Sequence, residues 1–153
     1  MLVEQLKQTR KAILQVEKEI EKLCCLFLEY EFLMSIPGFG PDISAKVLAY
    51  IGDPYRFDRA SQVIKMAGLD LNANRSGKTT DRAVPVISKK GKADLRYALY
   101  QAALIASSRN QHFIKYFTEK IRGREMEKGI KTKMRVKLSA KLLIIAWTLM
   151  KNK

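Results

Sequence analysis

The sequence has few of the residues that build disulfide frameworks or zinc sites. Its 153 residues include two neighbouring cysteines, Cys24 and Cys25, and one histidine, His112. Adjacent cysteines rarely bridge each other, and one distant histidine completes no zinc pattern. We therefore expect free thiols, a reducing compartment, no metal site and a structural role for His112. The sequence contains no glycine-rich run of the P-loop kind, so it gives no indication of a nucleotide-binding site.

Long apolar runs are also missing. The most apolar stretch, residues 142–150, is much shorter than the roughly 20 residues that span a bilayer. The N-terminus reads MLVEQLKQTRKAILQ and has no apolar segment of the kind found in secretory signals. We therefore expect a cytoplasmic protein with no membrane partner.

Acidic residues are scarce in the second half of the chain. Residues 75–153 contain 20 basic and five acidic side chains, a net charge of +15, whereas residues 1–74 contain nine basic and ten acidic ones. Such an asymmetric charge suits a polyanion, DNA or RNA. The alternative is a merely solvated surface, but surfaces that serve solubility usually mix both signs.

The first 33 residues are predicted to form one long helix. Apolar or neutral residues recur at alternating steps of four and three, as in a coiled coil. These seam residues are Leu2, Leu6, Thr9, Ile13, Val16, Ile20, Leu23, Phe27 and Tyr30. We predict a coiled-coil-like arm over residues 1–33 that pairs with a second copy, followed by a domain over residues 34–153. The alternative is an amphipathic helix folded back on its own chain.

The remaining pattern predicts a mainly α-helical domain with a small β-hairpin. Predicted helices cover about residues 42–51, 60–67, 113–121 and 132–150, with Trp147 in the core. Another helix follows Gly91 and buries one face, formed by Leu95, Ala98, Leu99, Ala102, Ile105 and Ala106. Predicted strands at 69–74 and 83–88 flank a polar, turn-like segment.

A glycine-containing turn separates the first two predicted helices. Gly38 and Gly40 lie on either side of Phe39, a pattern that resembles the helix-hairpin-helix element of DNA-repair proteins. Glycines let main-chain N–H groups approach a phosphate, so we predict that Gly38 and Gly40 contact the DNA backbone. The alternative is an ordinary helix–helix turn in which Phe39 fills the core.

The polar segment between the predicted strands is strongly basic. Around Ser76, two acidic residues, Asp81 and Asp94, oppose seven cations that we predict to bind nucleic acid: Arg75, Lys78, Arg82, Lys89, Lys90, Lys92 and Arg96. A serine hydroxyl is a weak nucleophile without an activating base or charge, and this segment has no histidine. Taken alone, an Arg-Ser-Gly tripeptide therefore indicates only a serine in a basic loop.

The order and spacing of several short motifs resemble one protein family. They are SIPGFG at 35–40, IGDP at 51–54 with Phe57, AGL at 67–69, RSG at 75–77, ISKKG at 87–91, Leu95-Arg96, Ala98-Leu99, Asn110, Phe117, Gly123 and KLL at 141–143. Together they resemble the C-terminal domain of the Piv-like DEDD insertion-sequence transposases. The resemblance runs from about residue 33 to the end, and the preceding helix is similar to the coiled coil of that family.

The resemblance implies a role for Ser76. In that family an N-terminal RuvC-like domain supplies four metal-binding carboxylates, and a serine of the C-terminal domain attacks a DNA phosphodiester and becomes covalently linked to it. The matching residue here is Ser76. The sequence does not include the carboxylate domain, so we expect no cofactor in this chain, Mg²⁺ only in that domain, and no activity from these residues alone.

The resemblance also implies partners and a location. DNA is the expected partner in a bacterial nucleoid, together with a second copy of the chain, and some family members are guided by a bridge RNA. The sequence is compatible with two other functions: a non-catalytic helix-hairpin-helix module for DNA binding and oligomerisation, and an RNA-binding accessory domain. A covalent DNA adduct separates catalysis from the first, and competition between duplex DNA and structured RNA tests the second.

Overall fold

A computed structural model describes residues 1–72 and 86–152, and this part of the chain is mainly α-helical, as predicted. Its elements in chain order are α1 (Leu2–Cys24), α2 (Leu28–Met34), α3 (Pro41–Ile51), a 3₁₀ turn (Pro54–Arg56), α4 (Ala60–Ala67), β1 (Leu71–Asn72), β2 (Val86–Ile87), α5 (Ala93–Arg109), α6 (Gln111–Ile121) and α7 (Ile130–Lys151). No helix among the described residues combines the length and apolar character needed to cross a membrane.

The core is centred on α5 and α7, which pack against each other. Small residues recur every four positions on α5, at Ala98, Ala102 and Ala106, and all three are buried, so neighbouring backbones come close. The predicted buried face of α5 is largely confirmed. The assignment of Ile105 to this buried face is wrong, since its side chain is 39 % exposed, while Ala103 is fully buried. The buried surface of α5 is rotated relative to the predicted face, because α5 contacts α3, α4 and α6 as well as α7.

The prediction of one uninterrupted helix over residues 1–33 is wrong. The chain leaves the helix after Cys24, and Phe27 has an extended backbone (φ −106°, ψ 123°) before α2 begins. The break redirects the chain so that α2 packs on α3 and α7 and buries Tyr30 and Leu33. Burial of these two side chains outweighs the few helical hydrogen bonds that the break removes, because each buried large side chain contributes about 2 kcal/mol.

The predicted seam of α1 lies in solvent within a single chain. Ile13, Val16 and Ile20 are 51 %, 58 % and 44 % exposed, and Cys24 at the end of the helix is its one buried residue. Of the described elements, α3 contacts α1 most extensively. Most of α1 is therefore not packed against the rest of its own chain in this structure, and its pairing with a second copy stays a prediction.

The C-terminal end of α7 is tied to the 3₁₀ turn by polar contacts. The indole Nε1 of buried Trp147 donates to the Pro54 carbonyl over 2.8 Å, and the Tyr55 hydroxyl donates to the Lys151 carbonyl over 2.7 Å. Lys151 Nζ donates to the Phe57 carbonyl over 3.2 Å. The core position predicted for Trp147 is confirmed, and its N–H has the partner that a buried indole requires.

A short antiparallel strand pair lies between α4 and α5 in the chain order. Leu71 pairs with Ile87 and Asn72 with Val86. The two strands fall within the predicted strand segments but are shorter, with two residues each. They place Asn72 and Val86, the described residues on either side of the basic segment in the sequence, next to each other.

Candidate nucleic-acid interface

Backbone hydrogen bonds extend the strand pair down to α4. Ser88 N donates to the Asp70 carbonyl (2.8 Å), Lys89 N to the Gly68 carbonyl (3.0 Å) and Lys92 N to the Met66 carbonyl (2.8 Å). These bonds satisfy main-chain groups just after α4 and just before α5. These hydrogen bonds therefore fix the chain beside the strand pair to α4 and to the start of α5. We call this hydrogen-bonded region the base of the site.

Two glycines permit the close crossing at this base. A Cβ on Gly91 would lie 2.2 Å from both Gly68 N and the Met66 carbonyl oxygen, closer than atoms approach without a shift. Gly68 caps α4 in the left-handed conformation with φ 68°, a geometry that glycine adopts without steric cost. The glycine in the ISKKG motif is therefore required by backbone packing.

Exposed lysines surround an open cleft beside the base. Lys89, Lys90 and Lys92 are exposed, and Lys92 stands at the N-cap position of α5. The cleft has a volume of about 810 Å³, and its lining consists of Gln62, Lys65, Met66, Asp70, Ser88, Lys90, Gly91 and Lys92. Three lysines against one aspartate give the cleft a positive field that suits an anionic backbone.

Lys65 was missed by the sequence analysis. It lies in the last turn of α4, and it lines the cleft together with Lys90 and Lys92. The sequence feature that could have identified Lys65 is its position three residues before Gly68, at the end of a helix that is hydrogen-bonded to Lys89 and Lys92. The local net charge of zero over residues 35–74 concealed it, because charge counts along a chain do not show which helix face approaches another segment.

Asp70, just before β1, and Ser88, just after β2, are joined by a side-chain hydrogen bond. The Ser88 hydroxyl donates to the Asp70 carboxylate, and Ser88 Oγ in turn accepts a long bond from Lys90 N (3.4 Å). These two hydrogen bonds orient the Ser88 side chain and the backbone just after β2. Ser88 therefore has a structural partner at the base of the site.

Asp94 is the acidic residue that faces the lysines from α5. The Tyr50 hydroxyl donates to its carboxylate, which holds the pKa of Asp94 below its usual value and raises the pKa of Tyr50. The charges of Lys46 and Lys92 lower the pKa of Asp94 further. Asp94 therefore stays ionised and moderates the positive field at the start of α5.

Arg96, a predicted nucleic-acid contact, is half-buried. Its Nη1 donates to the Ala67 carbonyl over 3.0 Å and so closes the C-terminal end of α4. A cation at a helix C-terminus also meets the negative end of the helix dipole. This internal contact gives Arg96 a role in holding α4 to α5, and its contact with nucleic acid stays a prediction.

The residues at the centre of the predicted site lie outside the described residues. These are Ser76, Arg75, Lys78 and Arg82. Within the described part of the chain, no three His, Cys, Asp or Glu side chains converge as metal ligands would. The described residues therefore do not fit a catalytic magnesium ion.

The structure gives the glycines of the SIPGFG turn different surroundings. Gly38 has φ +91°, and a Cβ on it would lie 2.3 Å from the Ala102 carbonyl oxygen of α5. Gly40 is open, with nothing within 4 Å of a Cβ, and Phe39 is buried in the core. Gly38 is thus explained by packing against α5 and Phe39 by its place in the core, while a phosphate contact at Gly38 or Gly40 stays a prediction.

A substitution at Gly38 should therefore lower stability. We expect Gly38→Ala to reduce the free energy of unfolding by about 3 kcal/mol, because the left-handed backbone and the contact with Ala102 each cost about 1 to 3 kcal/mol. Gly40→Ala, the matched control, should change it by less than about 1 kcal/mol. Urea unfolding followed by circular dichroism measures both, and equal midpoints for the two variants would reject the packing role of Gly38.

The comparison with known families covers the part of the chain that contains this interface. The family model described as Transposase IS116/IS110/IS902 family matches residues 30–118, more than half of the chain. The matched range runs from α2 into α6 and includes α4, both strands and the segment between them. A search of curated proteins found no match. Transposases as a class cleave and rearrange DNA, and by this match the chain belongs to the IS116/IS110/IS902 transposase family.

Proposed function

We propose that this chain is the DNA-joining domain of its transposase, that it binds DNA through the basic cleft, and that it presents Ser76 to a phosphodiester. The observation that carries the proposal is the base of the cleft: β1 and β2, which directly precede and follow the Ser76 segment in the sequence, pair with each other, and Lys65, Lys90 and Lys92 line the cleft beside them. Family membership supplies the reaction class.

The proposed chemistry is a transesterification. The Ser76 hydroxyl oxygen attacks the phosphorus, the bond between phosphorus and the leaving DNA oxygen breaks, the serine proton passes to a base outside this segment, and the leaving oxygen takes up a proton from that base or from water. The product is a phosphoserine ester and a free DNA hydroxyl. Nearby cations stabilise the additional negative charge on the phosphoryl oxygens in the transition state, which is the main contribution that a protein makes to phosphoryl transfer.

Trapping the covalent product tests the proposal. A protein that contains this chain together with the carboxylate domain implied by the family resemblance is incubated with end-labelled DNA and run on a denaturing gel. A labelled protein band that Ser76→Ala removes supports the serine mechanism. If metal-dependent cleavage occurs with no adduct from any variant, the chain is instead a non-catalytic DNA-binding module.

We also propose that α1 pairs with a second copy of the chain. The exposed seam of Ile13, Val16 and Ile20 follows coiled-coil spacing, and paired seams would bury these side chains. In the same proposal the domain works in the bacterial nucleoid, and a guide RNA is an additional partner.

The pairing of α1 gives a prediction for self-association. Val16→Glu or Ile20→Lys places a charge in the seam, so either variant should shift the chain from dimer to monomer at tens of micromolar. Sedimentation equilibrium measures the shift. Lys11→Glu, an exposed change away from the seam, is the control and should leave the dimer intact. An unmodified chain that sediments as a monomer would contradict the pairing.

A further inference from the structure

We propose that the exposed face shared by α6 and α7 is a second contact surface for the backbone of duplex DNA. It is formed by Lys120 of α6 and by Lys137 and Lys141 of α7. The inference rests on the proposed function, because that function supplies DNA as the partner. All three lysines lie beyond the residues that the family model matches, so family membership does not assign them.

Two of the cations converge on one aromatic ring. Lys120 Nζ lies 5.7 Å and Lys141 Nζ 4.2 Å from the centre of the Tyr116 ring. The ring face attracts each ammonium group, but the two like charges repel each other. Neither lysine forms an ion pair with a carboxylate of the described residues. A phosphate placed between them would offset this repulsion.

The spacing on α7 extends the surface. Lys133, Lys137 and Lys141 recur every four residues, so they lie on one exposed face and advance about 6 Å along the helix at each step. Lys133 is held by Glu127 at 2.8 Å, and Glu127 is also bound by Arg124. Lys137 and Lys141 therefore carry the available positive charge of this face.

Among the described residues, none of the nearby acidic side chains forms an ion pair with Lys120, Lys137 or Lys141. Glu119 is on α6, and Glu125 and Glu127 lie between α6 and α7. The bonds from Lys133 and Arg124 lower the pKa of Glu127, so its charge is already paired. The backbone N–H groups of Glu125 itself and of Gly123 lower the pKa of Glu125.

The surroundings of the Tyr116 side chain favour duplex DNA over a single strand as the partner. Tyr116 is half-buried and has cations over its ring, so it offers no free platform on which a base could stack. Exposed lysines on regular helices instead suit the phosphates of a duplex, which they contact without reading sequence. The chemistry therefore points to backbone contact with double-stranded DNA.

This surface is separate from the cleft lined by Lys65, Lys90 and Lys92. The hydrogen bonds Tyr50–Asp94 and Trp147–Pro54 place the beginning of α5 and the end of α7 near the same end of α3. Lys92 precedes α5 at that end, whereas Lys137 lies 14 residues before Lys151, the last residue of α7, or about 20 Å along the helix. Variants in one surface should therefore leave the other intact.

The test compares the salt dependence of duplex binding by three variants of the chain, each with three lysines replaced by glutamine. The first changes Lys120, Lys137 and Lys141. The second changes Lys65, Lys90 and Lys92, which line the cleft. The matched control changes Lys7, Lys11 and Lys18, which are exposed on α1.

If each lysine of the α6–α7 face neutralises one phosphate, the slope of log Kobs against log[salt] should become shallower by about 2 to 3 in the first variant. The α1 control should keep the slope of the unmodified chain. A first variant that retains its melting temperature but has the slope of the control would overturn the second surface. If the cleft variant also has the slope of the control, the proposed DNA-binding cleft fails as well. Loss of binding to structured RNA but not to duplex DNA would show that the partner of this face is RNA, and the inference would be wrong.

Discussion

Replacing Ser76 with alanine is expected to reduce strand exchange by at least about 10³-fold and to leave DNA affinity within about twofold of the unmodified value. The substitution removes the proposed nucleophile, whose loss in other covalent mechanisms costs at least this much. It leaves Lys65, Lys89, Lys90 and Lys92, which in this proposal supply the attraction for phosphate. The experiment measures strand exchange and duplex binding for the same variant of a protein that includes the carboxylate domain.

Neighbouring hydroxyl groups are the internal controls for this result. Thr79→Ala and Thr80→Ala should keep substantial activity. Ser88→Ala should also remain active with some loss, because it removes the hydrogen bond to Asp70 at the base of the cleft without removing a nucleophile. Ser76→Cys should form its adduct more slowly, since the sulfur–phosphorus bond is weaker. Full strand exchange by Ser76→Ala would show that another group attacks the DNA.

Duplex binding by the chain should weaken steeply with salt. Residues 75–153 carry a net charge of +15, and if six or more of these cations meet phosphates, affinity should fall by about 10³ or more between 50 and 200 mM salt. The physical reason is the release of counterions that had condensed on the DNA. Fluorescence anisotropy with labelled duplex measures the change, and an affinity that stays constant over this range would contradict electrostatic binding.

The helices could be predicted because their apolar spacing and end signals are local. Helix α4 begins and ends at the predicted residues, Ala60 and Ala67, and Gly68 is the residue that marks its end. The break after Cys24 could not be predicted, because residues 24–33 are apolar on most sides and remain compatible with a helix. What breaks the helix is the packing of α2 against α3 and α7, which is a tertiary effect.

The candidate site was predictable to a smaller extent. The lysines that follow β2 are visible in the sequence as a run, and the structure places Lys90 and Lys92 at one cleft. Lys65 and the Asp70–Ser88 bond depend on how α4 meets the strands, which no local pattern encodes. At Gly38 the local pattern has two explanations, since a motif typical of phosphate contact also fits a backbone that packs against Ala102.

The most direct measurement is peptide mapping of the covalent protein–DNA adduct. The labelled product is isolated under denaturing conditions, digested and sequenced by mass spectrometry. The account predicts a nucleotide ester on Ser76 and on no other residue. An adduct on Ser88 or Thr79, or the absence of any adduct while DNA is cleaved, would contradict the assignment of Ser76 as the nucleophile.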